Sequence, residues 1–164
     1  MMEKAELPKR KSLRMQSYDY ASSGAYFLTL CTDQRKKLFW QDVGAICDRP
    51  QTQLSAVGCI VENELHKLNT VYPDVKVEQY CIMPNHVHMI LLIDHPTGGR
   101  SQIAPTISRI VKQFKGSVSK QCGQPIWQRS FYDHVIRTQT SYEEISEYIF
   151  NNPANWQKDQ LYIP

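Results

Sequence analysis

Residues 75–93 read VKVEQYCIMPNHVHMILLI, and this stretch leaves the backbone few options. Residues 75–82 alternate, the period of a strand, and 86–93 form a second short apolar run. Met83-Pro84-Asn85 lies between them and carries the turn chemistry of proline and asparagine. The pair is therefore expected as a β-hairpin. Successive strand residues point to opposite faces, so His86 and His88 share one face while Val87 and Met89 point to the other.

The remaining segments supply partners for that hairpin. Residues 25–32, AYFLTLCT, follow the turn signal Ser22-Ser23-Gly24 and are expected as a strand. In 54–70, Val57, Ile60, Val61, Leu65 and Leu68 recur at helical spacing, with Ser55 as a cap, and Pro73-Asp74 ends the pattern. Residues 94–105 hold Pro96, Gly98, Gly99 and Pro105 and are expected as a loop. Residues 106–120 repeat the helical pattern, with Ile107, Ile110, Val111, Phe114 and Val118 inward and Arg109, Lys112, Lys115 and Lys120 outward. A strand is expected around 131–136. A last helix starts near Ser141, with Glu144 completing a capping box, and stops at Asn151 or Asn152 before Pro153. Strand, helix, strand, strand, helix, strand is a split βαβ order. It predicts an α+β, ferredoxin-like antiparallel sheet with two packing helices and an added C-terminal helix carrying Tyr148. The expected organisation is a basic N-terminal segment over 1–24, one domain over 25–156 and a tail over 157–164.

With 164 residues, 41% hydrophobic and 21% charged, the chain has the makings of one globular core rather than a disordered, collagen-like or coiled-coil chain. No apolar stretch nears the ~18 residues of a membrane span, and MMEKAELPKRKSLRM is not followed by the apolar core of a secretory signal. Cys31, Cys47, Cys59, Cys81 and Cys122 are odd in number and form no CxxC, against both a zinc ribbon and a disulfide framework. Reduced thiols and a cytoplasmic location are expected.

Charge is unevenly spread. Residues 100–137 carry Arg100, Arg109, Lys112, Lys115, Lys120, Arg129 and Arg137 against Asp133 alone, whereas 138–164 are net acidic. The basic block fits either a polyanion such as nucleic acid or a solvated surface. His86 and His88 could chelate a divalent ion or simply pack at the sheet surface. Tyr148 and Asn152, four apart, lie on one helical face. The Asn152 carbonyl is a hard ligand suited to Mg²⁺ or Mn²⁺, and the Tyr148 phenol could attack phosphorus.

These motifs also carry a likeness. PNHVH before a hydrophobic strand resembles the His-hydrophobic-His motif of the single-tyrosine HUH nucleases. Residues 127–137, WQRSFYDHVIR, and 147–153, EYIFNNP, resemble the REP-associated tyrosine transposases, also called insertion-sequence-type transposase-like proteins. So do Tyr18-Asp19-Tyr20, Gly24-Ala25-Tyr26-Phe27 and Cys31-Thr32, and the likeness runs in order from about residue 10 to 156. The resemblance implies a metal-dependent endonuclease and strand transferase acting on single-stranded, hairpin-flanked DNA through a 5′-phosphotyrosine. Carried onto this sequence, Tyr148 is the nucleophile and His86 and His88 are ligands of Mg²⁺ or Mn²⁺. Asn152 is the third ligand, where related transposases have glutamine. Monomers and homodimers both occur among such proteins, and nucleoid association in the cytoplasm is expected. Arg109, Lys112, Lys115, Arg129 and Arg137 are the expected DNA contacts. A phenol with a pKa near ~10 is a weak nucleophile but a better leaving group than an alkoxide, which makes the covalent step reversible.

Other residues have plainer readings. Tyr132, beside His134, is expected on a strand next to the site rather than as nucleophile, and Tyr142 as structural. Trp127 is expected in the core, with base stacking as its alternative, His66 and His95 at the surface, and Cys81 buried. Two other functions fit such a fold. One is a nucleic-acid-binding module without catalysis, although no RNP-like run is present. The other is a hydrolase using metal-bound water, which needs an acid beside the histidines; the nearest in sequence is Asp94.

Overall fold

The computed structural model describes residues 23–41, 53–94 and 106–164. The expected N-terminal segment up to residue 22, the loop over 95–105, Cys47, His95 and Arg100 lie outside the described residues.

Four strands and three helices follow the expected order: β1 (Gly24–Cys31), α1 (Ala56–Val71), β2 (Val75–Met83), β3 (His86–Ile93), α2 (Ile107–Gln121), β4 (Tyr132–Ile136) and α3 (Gln139–Asn151). Short 3-10 turns occupy Asp33–Arg35 and Pro153–Lys158. The sheet order is β2-β3-β1-β4, with every pairing antiparallel. This is the split βαβ arrangement. Among the described residues, no helix is long and apolar enough to cross a membrane.

Alternation along the strands divides the core. Tyr26, Leu28, Leu30, Val87, Met89 and Leu91 face α1 and α2, meeting Val61 and Leu65 of the first and Ile110, Phe114 and Val118 of the second. Phe39 and Trp127 fill this layer's edge, so Trp127 is a core residue as expected. On the opposite face Cys81, Met83, Ile90 and Ile136 pack with Ile149 of α3 and with Trp156. That face also carries His86 and His88.

Ser55 and Thr106 cap α1 and α2 as side-chain acceptors, 3.0 Å from the Gly58 N–H and 3.3 Å from the Arg109 N–H. The start of α3 differs from expectation. The helix begins at Gln139, and Thr138 caps it by accepting the Ser141 N–H at 3.2 Å. Ser141 is therefore the third helical residue, not the cap, and the expected box with Glu144 does not form. The earlier start adds the hydrogen bond from the Tyr142 N–H to the Thr138 carbonyl at 3.1 Å.

Candidate active site

Two residues, Pro84 and Asn85, close the hairpin and put His86 and His88 at its mouth. His86 is fully buried and His88 almost so. Asn85 fixes the first ring. Its amide nitrogen donates to the Leu161 carbonyl at 2.9 Å, so its oxygen is the acceptor for His86 Nδ1 at 2.7 Å. The His86 proton is thereby on Nδ1, and Nε2 presents a lone pair. Burial first, and the neighbouring His88 second, lower the His86 pKa to about 3, so the ring is neutral. His88 Nδ1 is 2.8 Å from the Thr29 hydroxyl, which leaves its Nε2 facing the same space. The two Nε2 atoms are 2.9 Å apart.

Tyr148 and Asn152 approach this pair from α3, as the helical spacing requires. The Tyr148 hydroxyl is 3.2 Å from His88 Nε2, and its ring packs edge-on against Phe27 at 6.2 Å. Asn152 is buried at the helix end. The segment after α3 then supplies a group that sequence reasoning missed. Pro153–Lys158 turns the chain back and inserts Asp159, whose side chain has no exposed surface. Asp159 Oδ2 accepts from the Tyr148 hydroxyl at 3.0 Å and from Asn152 Nδ2 at 2.9 Å. Oδ1 accepts the Leu161 N–H at 2.6 Å. Oδ2 is also 3.9 Å from the Nε2 atom of each histidine. Burial alone would raise the Asp159 pKa; the His88 ring and the hydrogen bonds from Leu161 and Asn152 outweigh it and hold the carboxyl far below the usual range. Burial and the Asp159 carboxylate push the Tyr148 phenol well above its ordinary value.

The donor set fits a divalent cation. The Nε2 atoms of His86 and His88 and a carboxylate oxygen of Asp159 lie within 4.8 Å of one another. Inward-facing lone pairs and a carboxylate repel unless a proton or cation lies among them. Two imidazoles and one carboxylate make a mixed nitrogen and oxygen donor set for a divalent cation. Asn152, expected as the oxygen donor, presents its amide nitrogen to Asp159.

The expected DNA contacts fall in two places. Arg109 and Lys112 are exposed on α2, which covers the other face of the sheet from the histidines. Arg129 and Arg137 are exposed on either side of β4. Lys115 is a correction: it does not face outward. Its ammonium donates to the carbonyls of Gln128 at 2.9 Å and Ser130 at 2.7 Å, and burial lowers its pKa to about 8. Carbonyls in a segment without a strand partner need a donor, and Lys115 is within reach. Tyr132 is exposed on β4, Tyr142 of α3 packs half-buried against the Ile136 and Ile149 cluster, Cys81 is buried and His66 is exposed beside Tyr80, as expected.

The family model for IS200-like transposases matches residues 20–152. The chain belongs to that family. A Haemophilus influenzae protein of uncharacterised function is 34% identical to this transposase-family chain, over 97% of the chain and 96% of the relative. A second protein of that species, provisionally named a REP-associated tyrosine transposase, is 26% identical over 83% of the chain and 73% of its own length. Among solved structures, a REP-associated tyrosine transposase bound to a REP hairpin superposes with a TM-score of 0.58 at 21% identity, covering 87% of this chain and 74% of that one. The shared fold is the four-stranded antiparallel α+β sheet.

Proposed function

We propose that this transposase-family chain is a metal-dependent single-stranded DNA endonuclease and strand transferase. The carrying observation is the phenol of Tyr148, 3.2 Å from His88 Nε2 and 3.0 Å from Asp159 Oδ2. Support for a hairpin substrate comes from the solved relative, which is bound to one.

His86, His88 and Asp159 would hold the ion, Mg²⁺ or Mn²⁺, with Asn152 steadying the carboxylate. A divalent ion there supplies charge neutralisation on the scissile phosphate. Asp159 accepts the phenol proton's hydrogen bond, which turns the remaining Tyr148 lone pairs toward the cleft beside α3. Tyr148 Oη bonds to phosphorus as the P–O3′ bond breaks, and the phenol proton is released to water. The products are a 5′-phosphotyrosine and a strand whose 3′ oxygen takes up a proton. Attack by a 3′-hydroxyl reverses the sequence, with the phenol as leaving group. The protein would work in the cytoplasm at the nucleoid, as monomer or homodimer.

The test is incubation with a labelled hairpin oligonucleotide and Mn²⁺, followed by a denaturing gel. An adduct mapping to Tyr148, absent in Tyr148→Phe and retained in Tyr132→Phe, is the expected result. An adduct on the Tyr132 peptide overturns the assignment. A second reading has an observation behind it. Asp159 is the acid beside the histidines that a metal-water hydrolase needs. Cleavage without any covalent adduct would select that mechanism.

A further inference from the structure

We infer that the open part of the sheet beside Tyr148 is a stacking pocket for one unpaired base of single-stranded DNA. This rests on the nuclease reading for what lies next to the pocket, and on its own residues for what fills it.

The sheet face that bears the histidines is covered unequally. α3 packs over β2 and β3 on that face. Over β1 and β4, the described residues leave a cleft of about 590 Å³, with Tyr148 and His88 at one side. Register decides its floor. Thr29 is directly opposite both His88 and Tyr132, so the Tyr132 side chain emerges on the histidine face. Phe27, two residues before Thr29, is on that face too.

The result is an aromatic platform. Phe27 stacks on His88 at 5.2 Å and meets Tyr132 edge-on at 6.4 Å. Phe131 also lines the cleft. Tyr132 is 56% exposed, large for an aromatic ring flanked by other rings. Packing does not account for that exposure, because no described element lies over the cleft. Gln128 and Gln160 add amides at the rim that can meet the donors and acceptors of a base edge. Arg129 stands beside this segment as a cation for the phosphates that accompany a base. An aliphatic ligand would use neither the exposed ring face nor the amides. A paired base would have its faces already stacked. An unpaired base uses both, and in this cleft its phosphate would lie toward Tyr148.

The experiment compares two probes of equal charge, a short oligodeoxythymidylate and an abasic deoxyribose-phosphate chain of the same length. Binding is followed by fluorescence anisotropy in EDTA, so that nothing is cleaved. Wild-type protein is expected to bind the thymidylate about tenfold tighter than the abasic chain. Tyr132→Ala should close most of that gap, and Tyr132→Phe should keep it. Tyr132 is at an exposed position on an edge strand, so these variants should fold, which circular dichroism checks. Equal affinity of the wild type for both probes overturns the pocket, as does an undiminished gap in Tyr132→Ala. A 5-iodouracil probe gives the location. Photocrosslinks on the peptides carrying Phe27, Phe131 or Tyr132 support the pocket, and crosslinks found only elsewhere overturn it. The two readings fail separately. His86→Ala should keep the base-dependent gap, whereas a missing covalent adduct in the wild type counts against the nuclease reading alone.

Discussion

A neutral imidazole carries one N–H, and the position of that proton decides what the other nitrogen can do. Asn85 settles the matter for His86. Its amide is oriented by the Leu161 carbonyl, so a residue in the hairpin turn and one near the C-terminus jointly aim a lone pair into the site. Asp159 is likewise held by neighbours rather than by its own element, receiving the Tyr148 hydroxyl, the Asn152 amide and the Leu161 N–H. In this arrangement Asn152 steadies the carboxylate and Asp159 faces the histidines. The two roles predict an order of effects on metal affinity. His86→Ala should abolish Mn²⁺ binding by the free protein, measured by calorimetric titration without DNA. Asp159→Asn should weaken it more than Asn152→Ala, whose loss should be about tenfold, as for other groups that orient a ligand. The reverse order would return the oxygen-donor role to Asn152.

Elements were legible where hydrophobic period and turn chemistry agree, and less so at boundaries. β3 spans His86–Ile93 as the apolar run requires, and Ser55 caps α1 as expected, whereas Thr106, read as the first residue of α2, is its cap. At α3 the sequence places the cap at Ser141, three residues late, because starting at Thr138 gives the helix more backbone hydrogen bonds. Thr138→Ala should therefore cost about 1 kcal/mol in chemical denaturation, and Ser141→Ala clearly less. Lys115 was misread for another reason. Helical period identifies which way a side chain leaves the axis, and does not reveal that two carbonyls of another segment wait there. Its ammonium pKa is lowered from 10.5 to about 8, with burial the main cause and Cys31 pulling the other way. Between those pH values the folded chain has released a proton that the unfolded chain still binds. Stability from this group thus rises with pH across that window. Denaturation profiles of the wild type and Lys115→Met should diverge in favour of the wild type as pH climbs from 8 toward 10.5. A constant difference would mean that the ammonium is not buried in solution.

At the scale of the molecule, a sheet with helices on both faces separates what the sequence ran together. His86, His88 and Tyr148 were legible because strand and helix periods put them on definable faces, and the topology brings those faces together. Asp159 was not, because it sits in a short non-periodic tail and its role depends on where the chain turns after Pro153. The basic block was legible as charge but not as a surface. Net charge along a sequence says nothing about which side of a sheet each residue occupies. Arg109 and Lys112 are on the α2 layer, opposite the site, whereas Arg129 and Arg137 stand at the two ends of β4, in the sheet that carries the site. A short single strand running into Tyr148 should therefore feel the second pair more. Each phosphate contact contributes about 0.7 to the salt slope of log affinity for single strands. Replacing both Arg129 and Arg137 with alanine should flatten that slope by up to about twice this amount. Replacing Arg109 and Lys112 should leave it nearly unchanged for an unstructured oligonucleotide. If the α2 pair carries the slope instead, the strand crosses the helical layer and does not reach Tyr148 past β4.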